Sequence, residues 1–256
     1  MKTVGFIGVG ELALYTIRGV RRGGYEGSIG LSPRNHDKAA LLATQHNCEV
    51  QVDNQSVVDN SDCVVIATRP ADCLQTLAEL EFRPGQLLLS VVAGVEISEL
   101  RKALPAGLDV VRAMPVSSAE AGASPTLIYP DHEFVRDFFN HCGNTIPVDN
   151  EDYFTQGSVL ACVYCWFFTL FESLIQATQG PALPAPLSAE LVMGMARGAA
   201  ELALSKAGSS PGEIATSIAT DGTYSKLGLD LLQQQSAFEP WQQACELLQQ
   251  KLAADD

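Results

Sequence analysis

The sequence predicts an α/β fold: a doubly wound sheet over residues 1–149, followed by an all-α region over residues 150–256. Three observations support this prediction. Short apolar runs alternate with segments of helical spacing up to about Val148, which is typical of parallel strands joined by crossover helices. The first apolar run, Val4–Ile7, ends in a Gly-x-Gly turn that leads into a helix. After about Asp149 the strand patterns stop and only helical segments follow.

The turn after the first strand has the spacing Gly-x-Gly-x-x-Ala. Gly8 and Gly10 permit a tight turn and a close backbone approach, and Ala13 suits close packing of helix on strand. The helix that follows would direct its free N–H groups and positive dipole end toward a pyrophosphate. This order of strand, turn and helix predicts a Rossmann-type dinucleotide site, the alternative being a plain strand–turn–helix. The expected cofactor contacts in this turn are Gly8, Gly10, Glu11, Leu12 and Ala13.

The residues after the second strand indicate which dinucleotide is bound. An acid there would bind the ribose 2′-hydroxyl of NAD, but Ser32, Arg34 and Asn35 stand in that region and Asp37 lies too far along. A hydroxyl, an amide and the planar donor fork of an arginine suit a 2′-phosphate. We therefore predict NADP(H) as cofactor, with NAD(H) possible, and Ser32 and Arg34 as contacts. An exposed arginine in an ordinary loop is the alternative.

Further ligand contacts are expected where the later strands end, because ligands of doubly wound sheets lie beyond the carboxyl ends of the strands. The later strands are predicted over residues 63–67, 86–92, 109–114, 125–129 and 144–148. The expected cofactor contacts at their ends are Thr68, Arg69, Pro70, Ala93 and Met114. Arg69 would clamp a carboxylate or the cofactor phosphates, and a surface pair with Asp72 is the alternative.

Charge and cysteine usage narrow the classes of function. The net charge of −14 and the pI of about 4.6 argue against nucleic acid or an anionic membrane surface as a partner. The seven cysteines are scattered and odd in number, which suits reduced thiols rather than a disulfide framework. The first strand follows Met1 and Lys2 directly, so we expect no signal peptide and a cytoplasmic location.

No metal site is expected. The four histidines lie away from the predicted strand ends, and none has a metal-binding spacing, so we also expect no histidine general base. Cys162 and Cys165 resemble half of a redox or zinc motif, but no second pair exists and both lie in an apolar helix. We interpret them as small hydrophobic side chains.

One long helix dominates the C-terminal region. Residues 153–178 are predicted to form it, and residues 157–171 carry no charge. A membrane span needs about 20 apolar residues, whereas this run is shorter and contains Ser, Tyr and Thr. A helix that is apolar on all sides is otherwise buried, and a helical region of this size has little core of its own. We therefore predict an intimate homodimer and no membrane partner.

The sequence resembles the pyrroline-5-carboxylate reductase family over essentially its whole length. The matching stretches are residues 5–13, residues 67–70, residues 90–95 and residues 111–115, the last of which contains Arg112-Ala113-Met114-Pro115. The resemblance implies an N-terminal Rossmann domain and a C-terminal helical dimerisation domain, with dimers that often assemble into larger rings. It also implies NAD(P)H-dependent reduction of the cyclic imine pyrroline-5-carboxylate, with a small-molecule substrate and a place in proline biosynthesis.

Departures from the family fall where the substrate would be bound. Val116 replaces an asparagine, and residues 219–224 read Ala-Thr-Asp-Gly-Thr-Tyr where the family has Ser-Pro-Gly-Gly-Thr-Thr or a close variant. In the family the last threonine bonds the imine nitrogen, so the resemblance makes Tyr224 a candidate proton donor, with Thr223 supporting it. An interfacial tyrosine is the alternative.

Three functions therefore stay open. The first is NADPH-dependent reduction of pyrroline-5-carboxylate to L-proline. The second is a related NADP-dependent imine or ketone reductase with a different substrate. The third is a non-catalytic dinucleotide-binding partner or regulatory protein.

Overall fold

The computed structural model describes residues 2–254. The chain divides into two compact units, an N-terminal unit that ends at Ala161 and a C-terminal unit, Cys162–Ala254. The strands are β1 Val4–Ile7, β2 Ile29–Leu31, β3 Glu49–Val50, β4 Cys63–Ile66, β5 Leu87–Ser90, β6 Asp109–Met114, β7 Ser124–Tyr129 and β8 Gly143–Pro147. The helices of the N-terminal unit are α1 Glu11–Arg22, α2 His36–His46, α3 Asn54–Asp59, α4 Pro70–Ala78, α5 Ile97–Lys102 and α6 Glu133–Asn140.

The remaining helices begin with α7 Glu151–Thr178, which runs from the N-terminal unit into the C-terminal unit. The others are α8 Ala185–Ser205, α9 Pro211–Ile218, α10 Tyr224–Gln234 and α11 Glu239–Ala254. The predicted sheet followed by an all-α region is confirmed.

The eight strands form one sheet in the order β3-β2-β1-β4-β5-β6-β7-β8. Every pairing is parallel except that of β6 with β7, in which Arg112 lies opposite Tyr129 and Ala113 opposite Ile128. The parallel arrangement that the alternation predicts therefore holds at every pairing but this one. A short 3₁₀ turn, Ser117–Ala121, joins the two strands, and a parallel connection needs a crossover of a dozen residues or more.

Helices cover both faces of the sheet, and the core has two parts. Phe6 and Ile7 are consecutive in β1, yet they belong to separate buried clusters because successive strand side chains point to opposite faces. Phe6 belongs to the cluster that contains Ile17 of α1, whereas Ile7 belongs to the cluster that contains Leu77 of α4. Because helices cover both faces, the sheet stays accessible at the ends of its strands.

The first turns of α7 pack within the N-terminal unit. Phe154 and Val159 are buried, and a Cβ added to Gly157 would lie 2.5 Å from Leu127 Cδ1 of β7. The small residue at position 157 therefore allows the helix to approach the sheet closely.

The C-terminal unit exposes much apolar surface on a single chain. Its exposed large side chains include Phe167, Phe168, Leu170, Met195 and Leu204. By length and composition α7 is apolar enough to cross a membrane, and 6% of its most apolar window is buried. A helix covered by a second subunit has the same length and composition, so these two properties do not make α7 a membrane span.

Candidate functional site

The two glycines of the turn after β1 have different structural reasons. Gly8 has φ +94°, and a Cβ there would lie 2.6 Å from the carbonyl oxygen of Ala67. Gly10 precedes α1 with φ −91°, no side chain caps the helix there, and a Cβ at this residue would meet no protein atom within 4 Å. The fold thus requires glycine at position 8, whereas at position 10 glycine leaves open space before the helix.

Two side chains from the loop after β2 hold this turn. The Gly8 N–H donates to Ser32 Oγ at 3.0 Å, and Asn35 Nδ2 donates to the carbonyl oxygen of Val9 at 2.9 Å. Ser32 is buried. Its hydroxyl therefore positions the turn, and its contact with a 2′-phosphate stays a prediction.

The three cations around the turn differ in how they are paired. Lys38 Nζ lies 2.6 Å from Glu11 Oε1, and the exposed guanidinium of Arg69 bonds Asp72 Oδ2 at 2.9 and 3.0 Å. Within residues 2–254, exposed Arg34 makes no hydrogen bond or ion pair. Arg34 is therefore the uncompensated positive charge of this region, and the phosphate contact of Arg69 stays a prediction.

An open cleft of about 660 Å³ lies beyond the carboxyl ends of β1, β2 and β4. Of the predicted contacts it is lined by Gly8, Gly10, Ser32, Arg34, Thr68 and Arg69. The structure brings these residues together from three separate loops. This is the point at which the strand order reverses, where doubly wound sheets bind ligands.

The other predicted contacts lie outside the lining of this cleft. Ala13 is buried against the sheet, while Glu11 and Leu12 continue the first turn of α1 and Pro70 begins α4. Ala93 is exposed after β5, and Met114 is half-buried at the end of β6. Their contacts with a cofactor stay predictions.

Sequence reasoning missed several residues of the cleft. They are His36, Asp37, Asn54, Asp72 and Thr76. The expectation that every histidine lies away from the strand ends was wrong, because His36 follows the β2 loop by a few residues and begins α2. Asn54 begins α3 after the two-residue β3, a strand with exposed side chains and no apolar run to reveal it.

The buried thiols near the sheet carry no nucleophilic chemistry. Burial raises the pKa of Cys73, beside Thr68, to about 11, although the Thr68 hydroxyl lowers it in part. Burial likewise raises the pKa of Cys63 to about 12. Both thiols stay protonated near neutral pH, and the thiolate is the reactive form. Over residues 2–254, no group of three or more His, Cys, Asp or Glu side chains is arranged to hold a metal.

The predicted catalytic pair lies in the C-terminal unit at the start of α10. Thr223 caps this helix: its Oγ1 accepts from the Lys226 N–H at 3.2 Å and donates to the Thr220 carbonyl at 2.7 Å. Tyr224 is the first helical residue and is 94% exposed on a single chain. The Thr223 hydroxyl thus stabilises the turn, and the catalytic functions of both residues stay predictions.

The strand order, the glycine turn and the cleft define an α/β protein of the Rossmann class. Residues 3–94 match the family described as NADP oxidoreductase, coenzyme F420-dependent, and residues 152–253 match pyrroline-5-carboxylate reductase dimerisation. Together with the similarities below, these matches show that the chain belongs to the pyrroline-5-carboxylate reductase family.

The following relatives align with nearly the whole chain. The pyrroline-5-carboxylate reductase of Pasteurella multocida is 28% identical over 262 residues, covering 96% of this chain and 94% of the relative. The structure of the Streptococcus pyogenes enzyme has a TM-score of 0.86 at 21% identity, covering 99% of this chain and 98% of that chain. The Plasmodium falciparum pyrroline carboxylate reductase with NADP bound has a TM-score of 0.85 at 20% identity, with the same coverage.

Proposed function

We propose that this protein is an NADPH-dependent reductase that converts pyrroline-5-carboxylate to L-proline. The observation that carries the proposal is the cleft at the reversal of strand order, where Gly10 leaves open space and Arg34 has no partner among residues 2–254. The names of the relatives support the substrate, and the Plasmodium falciparum structure with NADP bound supports the cofactor.

The residues of the cleft fit an anionic dinucleotide. The first N–H groups of α1 have no intrahelical acceptors, and no side chain at Gly10 occupies the space before them. They would hold a pyrophosphate, and Arg34 would hold a 2′-phosphate, which favours NADP(H) while leaving NAD(H) possible. On a chain of net charge −14, these local groups supply the attraction that the protein as a whole does not.

When bound, the nicotinamide cofactor supplies the hydride. The protein must then orient the imine nitrogen or supply a proton to the atom beside the reduced carbon. We assign this function to the hydroxyl of Tyr224, with Thr223 holding the turn from which Tyr224 begins α10. Residues 1–149 would thus bind the dinucleotide and residues 150–256 would serve substrate binding and dimerisation.

A second candidate function follows from Tyr224 itself. A phenol differs from the threonine hydroxyl of the family in reach and in acidity, and a ketone needs a proton donor as its alkoxide forms. A related imine or ketone reductase with a different substrate would therefore use the same cleft. A dinucleotide-binding protein without turnover is the remaining alternative.

We also propose a cytoplasmic homodimer. The support is the match of residues 152–253 to a dimerisation family and the apolar surface that a single chain leaves exposed, Phe167 and Phe168 included. The cysteines of the described chain are free, four of them buried, as suits a reducing compartment. Light scattering after size exclusion should give twice the 27.3 kDa of one chain, or a multiple of that dimer if the dimers form a ring.

The decisive experiment is NADPH oxidation with pyrroline-5-carboxylate, followed by loss of NADPH absorbance beside an NADH control. NADPH binding is titrated separately by fluorescence. Turnover with a preference for NADPH supports the proposal. Binding without turnover on this substrate moves the test to a panel of cyclic imines and ketones, and binding without turnover on any of them supports the non-catalytic alternative.

A further inference from the structure

Arg112 is a buried cation in the Arg-Ala-Met-Pro stretch. Its side chain is 3% exposed at the end of β6, and its Nη1 donates to Glu151 Oε1 at 2.8 Å. The guanidinium carbon lies 4.5 Å from the centre of the Phe154 ring. Both partners belong to the first turn of α7, so one arginine joins the sheet to the start of that helix.

The same carboxylate oxygen has a second partner. Glu151 Oε1 accepts the backbone N–H of Ile97, the first residue of α5, at 2.9 Å. Glu96 precedes that helix and makes no side-chain cap. Glu151 therefore caps α5 from 54 positions further along the chain, and its carboxylate connects β6, α5 and α7.

This network lies beside two predicted cofactor contacts. Ala93 and Gly94 lie in the loop that runs from β5 to α5. Gly94 has φ +68°, a conformation in which a residue with a side chain would be strained. Met114 lies two residues beyond Arg112 at the end of the same strand. The loop after β5 and the end of β6 are thus tied to one carboxylate.

Little else compensates the Arg112 charge. Over the described residues, its Nε has no hydrogen-bond partner, so the Glu151 carboxylate and the Phe154 ring supply the compensation. Removing one member of a buried pair leaves an unpaired buried charge, which is far more disruptive than losing a surface pair. The buried charge of Arg112 is therefore paired only while Glu151 is present.

We propose that Arg112 and Glu151 are positioning residues for hydride transfer: their ion pair holds the loop after β5 and the end of β6 in the arrangement that the reaction needs. This inference rests on the proposed reductase function. It places neither residue on the substrate or the cofactor. The adenine-side groups of the cleft, Arg34 among them, are outside the network, so the pair should affect turnover more than NADPH affinity.

The test compares Glu151→Ala, Glu151→Gln, Arg112→Met and Arg112→Lys with the wild type. Asp131→Asn is the control for loss of a carboxylate, because Asp131 forms an exposed ion pair with Arg136 at 2.6 Å in the same unit. Amide exchange at Ile97, the NADPH Kd, kcat and KM are measured for each protein.

Glu151→Ala should speed Ile97 amide exchange at least about tenfold, because a charge-assisted hydrogen bond is lost. It and Arg112→Met should lower kcat about tenfold or more, since small displacements of reacting groups are costly, with the NADPH Kd changed less than about twofold. Arg112→Lys should recover part of kcat, and Glu151→Gln should keep Ile97 protected while still losing kcat. Asp131→Asn should match the wild type throughout.

Unchanged Ile97 exchange in Glu151→Ala would show that the cap does not exist. Faster exchange with unchanged kcat, or equal losses in kcat and NADPH affinity, would overturn the positioning role. If Glu151→Ala does not fold, Glu151→Gln and Arg112→Lys decide by their kcat. A wild type without turnover on any substrate would refute the reductase function, whereas the exchange measurement would still report on the cap.

Discussion

Substituting the two glycines of the β1 turn by alanine should separate stability from cofactor binding. Gly8→Ala places a methyl group against the backbone of Ala67, whereas Gly10→Ala places one in the open space before α1. Each variant adds one methyl group to the wild-type protein, and the two positions lie two residues apart. A comparison of the two variants therefore separates the effect on stability from the effect on cofactor binding, because the chemical change is the same in both.

The cost of Gly8→Ala follows from its conformation and its surroundings. At φ +94° a residue with a Cβ is strained by about 1–3 kcal/mol. The new carbon would also lie 2.6 Å from the Ala67 carbonyl oxygen, an overlap that costs a further ~1–3 kcal/mol. For a chain of this size, the sum predicts a fall in Tm on the order of 10 °C.

Gly10→Ala should weaken NADPH binding more than it lowers the stability of the fold. With φ −91° and no protein atom within 4 Å of the new carbon, the folded state accepts alanine. Replacing glycine by alanine before a helix costs at most about 1 kcal/mol, or about 2–4 °C in Tm. The methyl group would nevertheless occupy the space where a pyrophosphate approaches, so the NADPH Kd should rise at least about tenfold.

Thermal unfolding and NADPH fluorescence titration, each on both variants, measure the two effects. A Gly10→Ala protein that binds NADPH as the wild type does would show that no ligand approaches the start of α1. A Gly8→Ala protein as stable as the wild type would contradict the strain and overlap. Equal loss of stability in both would mean that the turn differs from the one described.

Three further changes test single groups. Arg34→Ala should weaken NADPH binding about tenfold, the loss of a charge-assisted contact, and leave NADH binding nearly unchanged; equal weakening of both in fluorescence titrations would refute a 2′-phosphate contact. Tyr224→Phe should lower kcat at unchanged NADPH affinity, and full activity in the steady-state assay would exclude the hydroxyl from the mechanism. Lys38→Met leaves the Glu11 carboxylate unpaired at the start of α1, where negative charge opposes an anionic ligand. The NADPH Kd at low salt should rise about twofold to fivefold, and adding Glu11→Gln should restore it; no restoration would assign Lys38 to the ligand itself.

Local patterns in the sequence predicted much of the fold. Val4–Ile7 is a continuous apolar run followed by glycines, so both the buried strand and its turn are encoded within about ten residues. The direction of β7 is not encoded in this way. Its residues indicate a strand, but the direction of its pairing with β6 depends on the short connection through Ser117–Ala121, whose length was the overlooked signal.

The candidate site was predictable where it depends on backbone geometry and less so where it depends on distant contacts. Gly8 and Gly10 follow from the motif, whereas Asn54 reaches the cleft only because the exposed β3 precedes α3. The Arg112 pair joins residues 39 positions apart. No spacing rule connects an arginine at a strand end with a glutamate at the start of a later helix.

The early packing of α7 has a consequence for modularity. A fragment of residues 1–149 would keep Arg112 in the sheet while discarding Glu151 and Phe154, the two groups that compensate its charge. It would also uncover Leu127, against which Gly157 packs. The dinucleotide-binding part therefore cannot be transferred as an independent domain when it is cut just after β8. Exchanging it between relatives requires carrying the opening turns of α7, through about Ala161, with it.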